Sequence, residues 1–142
     1  MTDESVRAAL ELRVVIGRLR RQLREVSATG DLTPSQTSLL SRLDRDGAAS
    51  ASDLAAAERV RPQSVAAQLT ALDELGLIER HPDPTDGRRQ LITLSGTGVE
   101  RLSGDRQARQ EWLARAIDER FSYDERRTLM AALALLDRLA EP

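Results

Sequence analysis

The chain has no cysteine, no lysine and no asparagine, a single histidine (His81), and one each of tryptophan, tyrosine and phenylalanine. Without cysteine there is no disulfide framework, no thiolate metal site and no thiol-oxidation switch. One histidine cannot build a His-based metal cluster, so no metal and no cofactor is expected. No apolar run approaches the roughly 20 residues that span a bilayer, and Met1–Leu10 is too acidic for a signal peptide. The expected setting is the cytoplasm, with no membrane partner. A phosphate-cradling glycine loop and a nucleophile elbow are missing as well. Carboxylates are plentiful, but Glu119 beside Arg120 and Asp124 near Arg127 read as solvated ion pairs, so no enzyme is expected.

What is present is a chain of 142 residues, 40% hydrophobic and 31% charged, with a formal net charge of −2. That is the size and composition of one ordinary domain able to bury its own core. All 21 basic residues are arginine. Codon bias in a GC-rich genome accounts for this, and the physical consequence stands either way. Arginine's planar fork of donors suits phosphates, guanine edges and narrow minor grooves. A slightly acidic chain can still bind nucleic acid, because the local potential on one face decides.

The apolar periodicity divides the chain. Val6, Leu10, Val14, Leu19, Leu23 and Val26 predict an amphipathic helix over about 5–28, with Arg13, Arg20, Arg21 and Arg24 outside and a break at Gly30-Asp31. Thr33-Pro34-Ser35-Gln36 signals a capped second helix, with Leu39, Leu40 and Leu43 buried and a stop at Asp46-Gly47. A third helix follows Ser50, with Asp53 placed to complete its cap, and runs to about Glu58. After the turn Arg59-Val60-Arg61, Pro62 opens a fourth helix whose inner stripe is Val65, Leu69, Leu72 and Leu75, ended by Gly76. Helix, three-residue turn, helix is the helix-turn-helix spacing. The period then changes to that of strands at 77–81 and 90–94. The turn-rich 82–89 lies between them, with Asp86-Gly87 as the hairpin signal. A hairpin in this place is a wing. Helices over about 97–120, with Leu102, Trp112, Leu113 and Ile117, and after Ser122, with Leu129, Leu133, Leu136 and Leu139, complete the chain.

Three features point to duplex DNA. Gln63, Ser64, Ala67 and, toward the side, Gln68 lie on the outward face of the fourth helix near its start, where glutamine can pair with adenine. Arg59 and Arg61 flank that start and are placed for phosphates. Arg88 and Arg89 sit on the wing beside Asp86, where an arginine can enter a minor groove. Glutamines on a helix are ordinarily a solvated face, and paired loop arginines ordinarily surface charge. Their order from Arg59 to Arg89, with the wing in its place, is what carries the reading.

With these residues the sequence resembles the MarR-type winged helix-turn-helix transcription regulators over nearly its whole length. The likeness rests on Leu54-Ala55, on 62–72, on 75–80, and on Asp83-Pro84-Thr85-Asp86-Gly87-Arg88-Arg89 followed by Leu94-Ser95 and Gly98. It implies a mainly α fold with a small two- to three-stranded β-wing. A DNA-binding lobe would occupy 33–95, with dimerisation helices at 1–30 and 97–142. It also implies a homodimeric regulator on a palindromic operator, acting as a repressor, with Arg88 probing the minor groove and Asp86 orienting it or a neighbouring arginine. Glu58 and Arg59 stand where the family often has leucine and glycine, so a differently shaped turn is expected. Ala67 and Ala71 stand where many members carry basic residues.

Leu10, Val14, Trp112, Leu129, Leu133 and Leu136 are the expected dimer interface, since two recognition helices one turn of DNA apart can read a palindrome. The resemblance also admits a small aromatic or amphipathic ligand between lobe and dimer helices. Trp112, Phe121 and Tyr123 read as dimer packing rather than its pocket. The rival reading is a winged-helix module for protein contact alone, which has no need of Arg88 and Arg89 on the wing. With few base-reading side chains on the fourth helix, site selection from random duplexes is expected to return a short, degenerate major-groove consensus. A long, sharply defined one would refute that.

Overall fold

Short polar side chains decide where the helices start. The computed structural model describes residues 1–27 and 32–142. They form α1 (Asp3–Ser27), α2 (Pro34–Asp46), α3 (Ala51–Glu58), α4 (Pro62–Glu74), β1 (Ile78–Pro82), β2 (Gln90–Leu94), α5 (Gly96–Arg120) and α6 (Tyr123–Ala140). The expected end of the first helix at Ala28 and the break at Gly30-Asp31 lie outside the described residues. Thr33 and Gln36 close a reciprocal capping box on α2, as Ser122 and Glu125 do on α6. Ser50 and Ser95 cap α3 and α5 by accepting from the Asp53 and Gly98 N–H groups. Each such cap contributes about 1 kcal/mol.

The lobe core is built from Leu39, Leu40 and Leu43 of α2, Leu54 and Ala55 of α3, and Val65, Leu69 and Leu72 of α4. Leu77, Ile78 and Ile92 close it from the hairpin side, and Leu102 enters from α5. Full burial of one such leucine contributes roughly 1.5–3 kcal/mol, so this cluster is the main source of lobe stability. Leu75, expected in the inner stripe of α4, is instead 42% exposed. The chain leaves the helix there, because Gly76 takes the left-handed conformation (φ 70°). The Leu77 N–H then reaches back to the Leu72 carbonyl, and Leu77 is the side chain that is buried.

A second helix ends in the same way. At the end of α3 the Arg59 N–H donates to the Ala56 carbonyl and the Val60 N–H to the Ala55 carbonyl. This is the Schellman pattern, and it matches the Gly76-to-Asp73 and Leu77-to-Leu72 bonds after α4. Here the left-handed residue is Arg59, at φ 55° and ψ 44°. A side chain in that conformation costs about 1–2 kcal/mol, against the roughly 0.5–1 kcal/mol of extra chain entropy that glycine would lose. Glycine would therefore be the more stable choice. The turn expected to be differently shaped takes the backbone that a glycine favours, with arginine in it.

β1 and β2 pair antiparallel from Ile78↔Leu94 to Pro82↔Gln90. An isolated bridge between Ala49 and Ile92 adds one rung toward α3. Gly87 does not have positive φ. The loop is shaped by side chains instead: Asp83 accepts from the Thr85 N–H and hydroxyl, and Asp86 accepts from the Arg88 N–H. α1 lies along α5 and leaves most of its surface exposed, while α6 buries none of its residues.

The first turn of α5 meets the start of β1 at very short range. A Cβ on Gly98 would lie 2.1 Å from the Leu77 carbonyl oxygen. Gly98→Ala is expected to destabilise at the upper end of the roughly 1–3 kcal/mol of an overpacked site, or beyond it. Gly104→Ala, with open space around it, should be neutral or stabilising, since alanine favours a helix interior. Thermal melts of the two variants check this; equal melting temperatures would show that the junction is not tight.

Candidate nucleic-acid interface

The orientation of α4 is set before any of its outward residues matters. Glu58, at the end of α3, accepts from the Arg42 Nε at 2.8 Å and from the Ser38 hydroxyl at 3.0 Å, both on α2. Hydrogen bonding from Arg42, and then from Ser38, holds the Glu58 carboxyl below the usual carboxylate range. This pins the end of α3 to α2, and with it the turn that leads into α4. On β1, Arg80 donates to Asp73 of α4 at 3.2 Å, which ties the wing's inner strand to the other end of the helix.

From that anchored frame Gln63, Ser64 and Ala67 are exposed along one side of α4, and Gln68 is half-buried beside them. Arg61 occupies the N-cap position of α4 and supplies no capping hydrogen bond. Pro62 has no N–H to satisfy, so this helix start is open at little cost. The side chains of Arg59, Arg61 and Arg88 are exposed and make no hydrogen bond or ion pair among the described residues. These cations gather at the turn and the wing of a chain whose net charge is negative.

Arg89 is placed differently from Arg88. Its guanidinium turns back from the wing to the start of α3, donating to the Ser50 hydroxyl at 2.7 Å and to the Asp53 carboxylate at 2.8 Å. Asp83 lies 4.0 Å away on its other side. Arg89 is thus a strut between wing and helix-turn-helix. Asp53 joins the α3 cap through its backbone N–H, while its carboxylate takes the arginine. Asp86 shapes the wing backbone by accepting from the Arg88 N–H. The strut spans 36 residues, and no local pattern announces such a pairing. The one signal was the Ser50–Asp53 spacing, which reads as a cap alone.

Between α1, α2 and α5 lies a cavity of about 490 Å³, lined by Arg20, Arg24, Arg101 and Arg109, by Asp105, and by Leu23, Leu32 and Pro34 among others. Arg109 donates to the Ser27 hydroxyl at 2.9 Å across it. None of Trp112, Phe121 and Tyr123 lines it. Among the described residues no group of three His, Asp or Glu side chains is placed to hold a metal ion, and no helix is long and apolar enough to cross a membrane.

Residues 32–89 match the sequence profile of the MarR family. The chain is 37% identical to an uncharacterized HTH-type transcriptional regulator of Mycobacterium bovis, over 99% of its own length and 98% of the relative's. It is similar to the crystal structure of a putative transcriptional regulator from Pseudomonas aeruginosa, with a TM-score of 0.83 and 39% identity, covering 100% of this chain and 99% of that one. A mutant of S. aureus MepR, solved bound to an oligodeoxyribonucleotide, shares the fold at a TM-score of 0.72 and 21% identity, covering 94% and 98% of the two chains.

The strut carries a pH dependence whose sign is fixed. Hydrogen bonding from Ser50 and the charge of Arg89 lower the Asp53 carboxyl from its ordinary value. A depressed folded-state value contributes stability above the unfolded carboxylate range and loses it as the pH falls through the folded value. Wild type is therefore expected to melt above Asp53→Asn at pH 7, and the gap should close as the pH drops below about 4. A gap of constant size in a pH series of melts would mean that the ion pair is not its source.

Proposed function

The chain belongs to the MarR family and is a DNA-binding transcription regulator rather than an enzyme, and from that premise we propose that it works in the cytoplasm as a homodimeric repressor on a palindromic site. Gln63, Ser64, Ala67 and Gln68 would face the major groove, Arg59 and Arg61 the flanking phosphates, and Arg88 the minor groove. Asp86 would shape the wing that presents Arg88. Arg89 would act from behind, holding the wing at its distance from α4. The observation that carries this reading is the sorting of the arginines: those at the turn and wing tip are unpaired, while the one beside them is tied into the lobe.

The dimer reading is supported by the apolar face left open on the terminal helices. Leu10, Val14, Leu133 and Leu136 are exposed, and Leu129 and Trp112 are half-buried. A single lobe's few contacts would bind weakly at physiological salt, and joining two lobes multiplies the affinity. A MepR mutant of the same fold was solved bound to an oligodeoxyribonucleotide, in keeping with DNA binding here. For the ligand, the arginine-lined cavity between α1, α2 and α5 supports a small amphipathic molecule with an anionic group. Such a ligand would release DNA by changing the spacing of the lobes.

Fluorescence anisotropy on the intergenic duplex beside the protein's own gene, at several salt concentrations, tests the reading. Wild type should bind tightly with a steep salt dependence, and Arg88→Ala should lose roughly 1–3 kcal/mol. Absence of binding to any duplex at low salt would favour the protein-contact module.

A further inference from the structure

Two helices of the lobe end in the same hydrogen-bonding pattern, and the chain fills the left-handed position with Gly76 in one and Arg59 in the other. Arg59 is the only non-glycine residue with positive φ among the described residues. The backbone gives no reason for arginine there. Both bonds that close the α3 end come from main-chain N–H groups and would form equally with glycine. The side chain gives no structural reason either, being exposed and without a partner among the described residues. Glu58, one position earlier, has both Arg42 and Ser38, so Arg59 is not needed to neutralise it.

A strained residue that stabilises nothing in its own chain points to a contact outside it. We propose that Arg59 is a phosphate-binding residue retained at the expense of fold stability, so that the α3–α4 turn trades lobe stability for DNA affinity. This rests on the DNA-binding reading above and goes beyond it. Expected phosphate contacts on a surface usually cost the fold nothing, whereas this one opposes it. The left-handed backbone also fixes the direction in which the side chain leaves the turn, three residues ahead of Pro62. The side chain leaves from the turn ahead of α4 rather than from the outward face of that helix, a placement suited to backbone phosphate, which sets register, rather than to a base edge.

The opposition of signs makes the proposal testable with three variants of the full-length protein, each measured by thermal melting and by anisotropy over a salt series. Arg59→Gly removes both strain and charge. It should melt a few degrees higher than wild type, bind roughly tenfold or more weakly at 0.1 M salt, and lose about two from the salt slope, one contact per protomer. The loss should be alike on operator and unrelated duplexes. Arg59→Ala keeps the strain and removes the charge, so it should bind as weakly as the glycine variant without the gain in melting temperature. Arg59→Lys should retain most of the slope. Wild-type binding with an unchanged affinity and slope in Arg59→Gly would overturn this proposal alone. So would a glycine variant that melts lower than wild type, since the arginine would then serve the fold. Failure of wild type to bind any duplex would instead overturn the DNA-binding reading on which it rests.

Discussion

The Leu77 carbonyl is approached from two sides within a few residues, and the geometry of the whole lobe converges on that contact. The Ser95 N–H donates to it at 3.0 Å, and the first turn of α5 comes so near that only a residue without a Cβ fits at position 98. The Ser95 hydroxyl, 2.5 Å from the Gly76 carbonyl, also accepts the Gly98 N–H and so caps the helix. The end of α4, the start of β1, the end of β2 and the start of α5 therefore share one knot of hydrogen bonds centred on Ser95. While it holds, α4, the wing and α5 are coupled in position, because a rigid hydrogen-bonded junction transmits displacement rather than absorbing it.

Around that knot the arginines divide by task. Arg42, Arg80 and Arg89 are consumed inside the lobe, joining α2 to α3, β1 to α4, and the wing to α3. Arg59, Arg61 and Arg88 are left to solvent. A chain of net negative charge can thus keep unpaired cations at the turn and the wing without being basic, since the paired cations cancel locally and the unpaired ones do not. An exposed ion pair contributes little stability by itself. The value of the internal pairs lies in position, fixing the distance between wing and helix.

Local signals in the sequence are legible where one residue decides one backbone feature. Thr33 with Gln36, Ser50, Pro62, Gly76 and Ser122 with Glu125 all start or stop helices where their chemistry says they should. Both strands of the wing were legible from their change of period, with the first displaced by one residue. Helical periodicity points Leu75 inward because the pattern runs on past the point where Gly76 turns the chain, whereas the next apolar residue, Leu77, takes the buried place. The role of Arg89 was hidden for another reason. Its partners lie 36 and 39 residues away, and charge complementarity over that separation has no period to detect. Gly87 looked like the turn-maker of the wing, but aspartate side chains bonding their own backbone do that work, a competition that composition alone cannot resolve.

A terminal helix that leaves Leu133, Leu135, Leu136 and Leu139 exposed in its own chain would make abundance a variable of the system. Where cover comes from a second copy, folding and assembly are one equilibrium, and scarce protein is both less assembled and less stable. Where that holds, the concentration of competent dimer rises with roughly the square of protomer concentration while protomers are few. Small changes in synthesis or dilution at cell division would then be amplified, and α6, if it joins two copies, would set a dosage threshold on DNA binding.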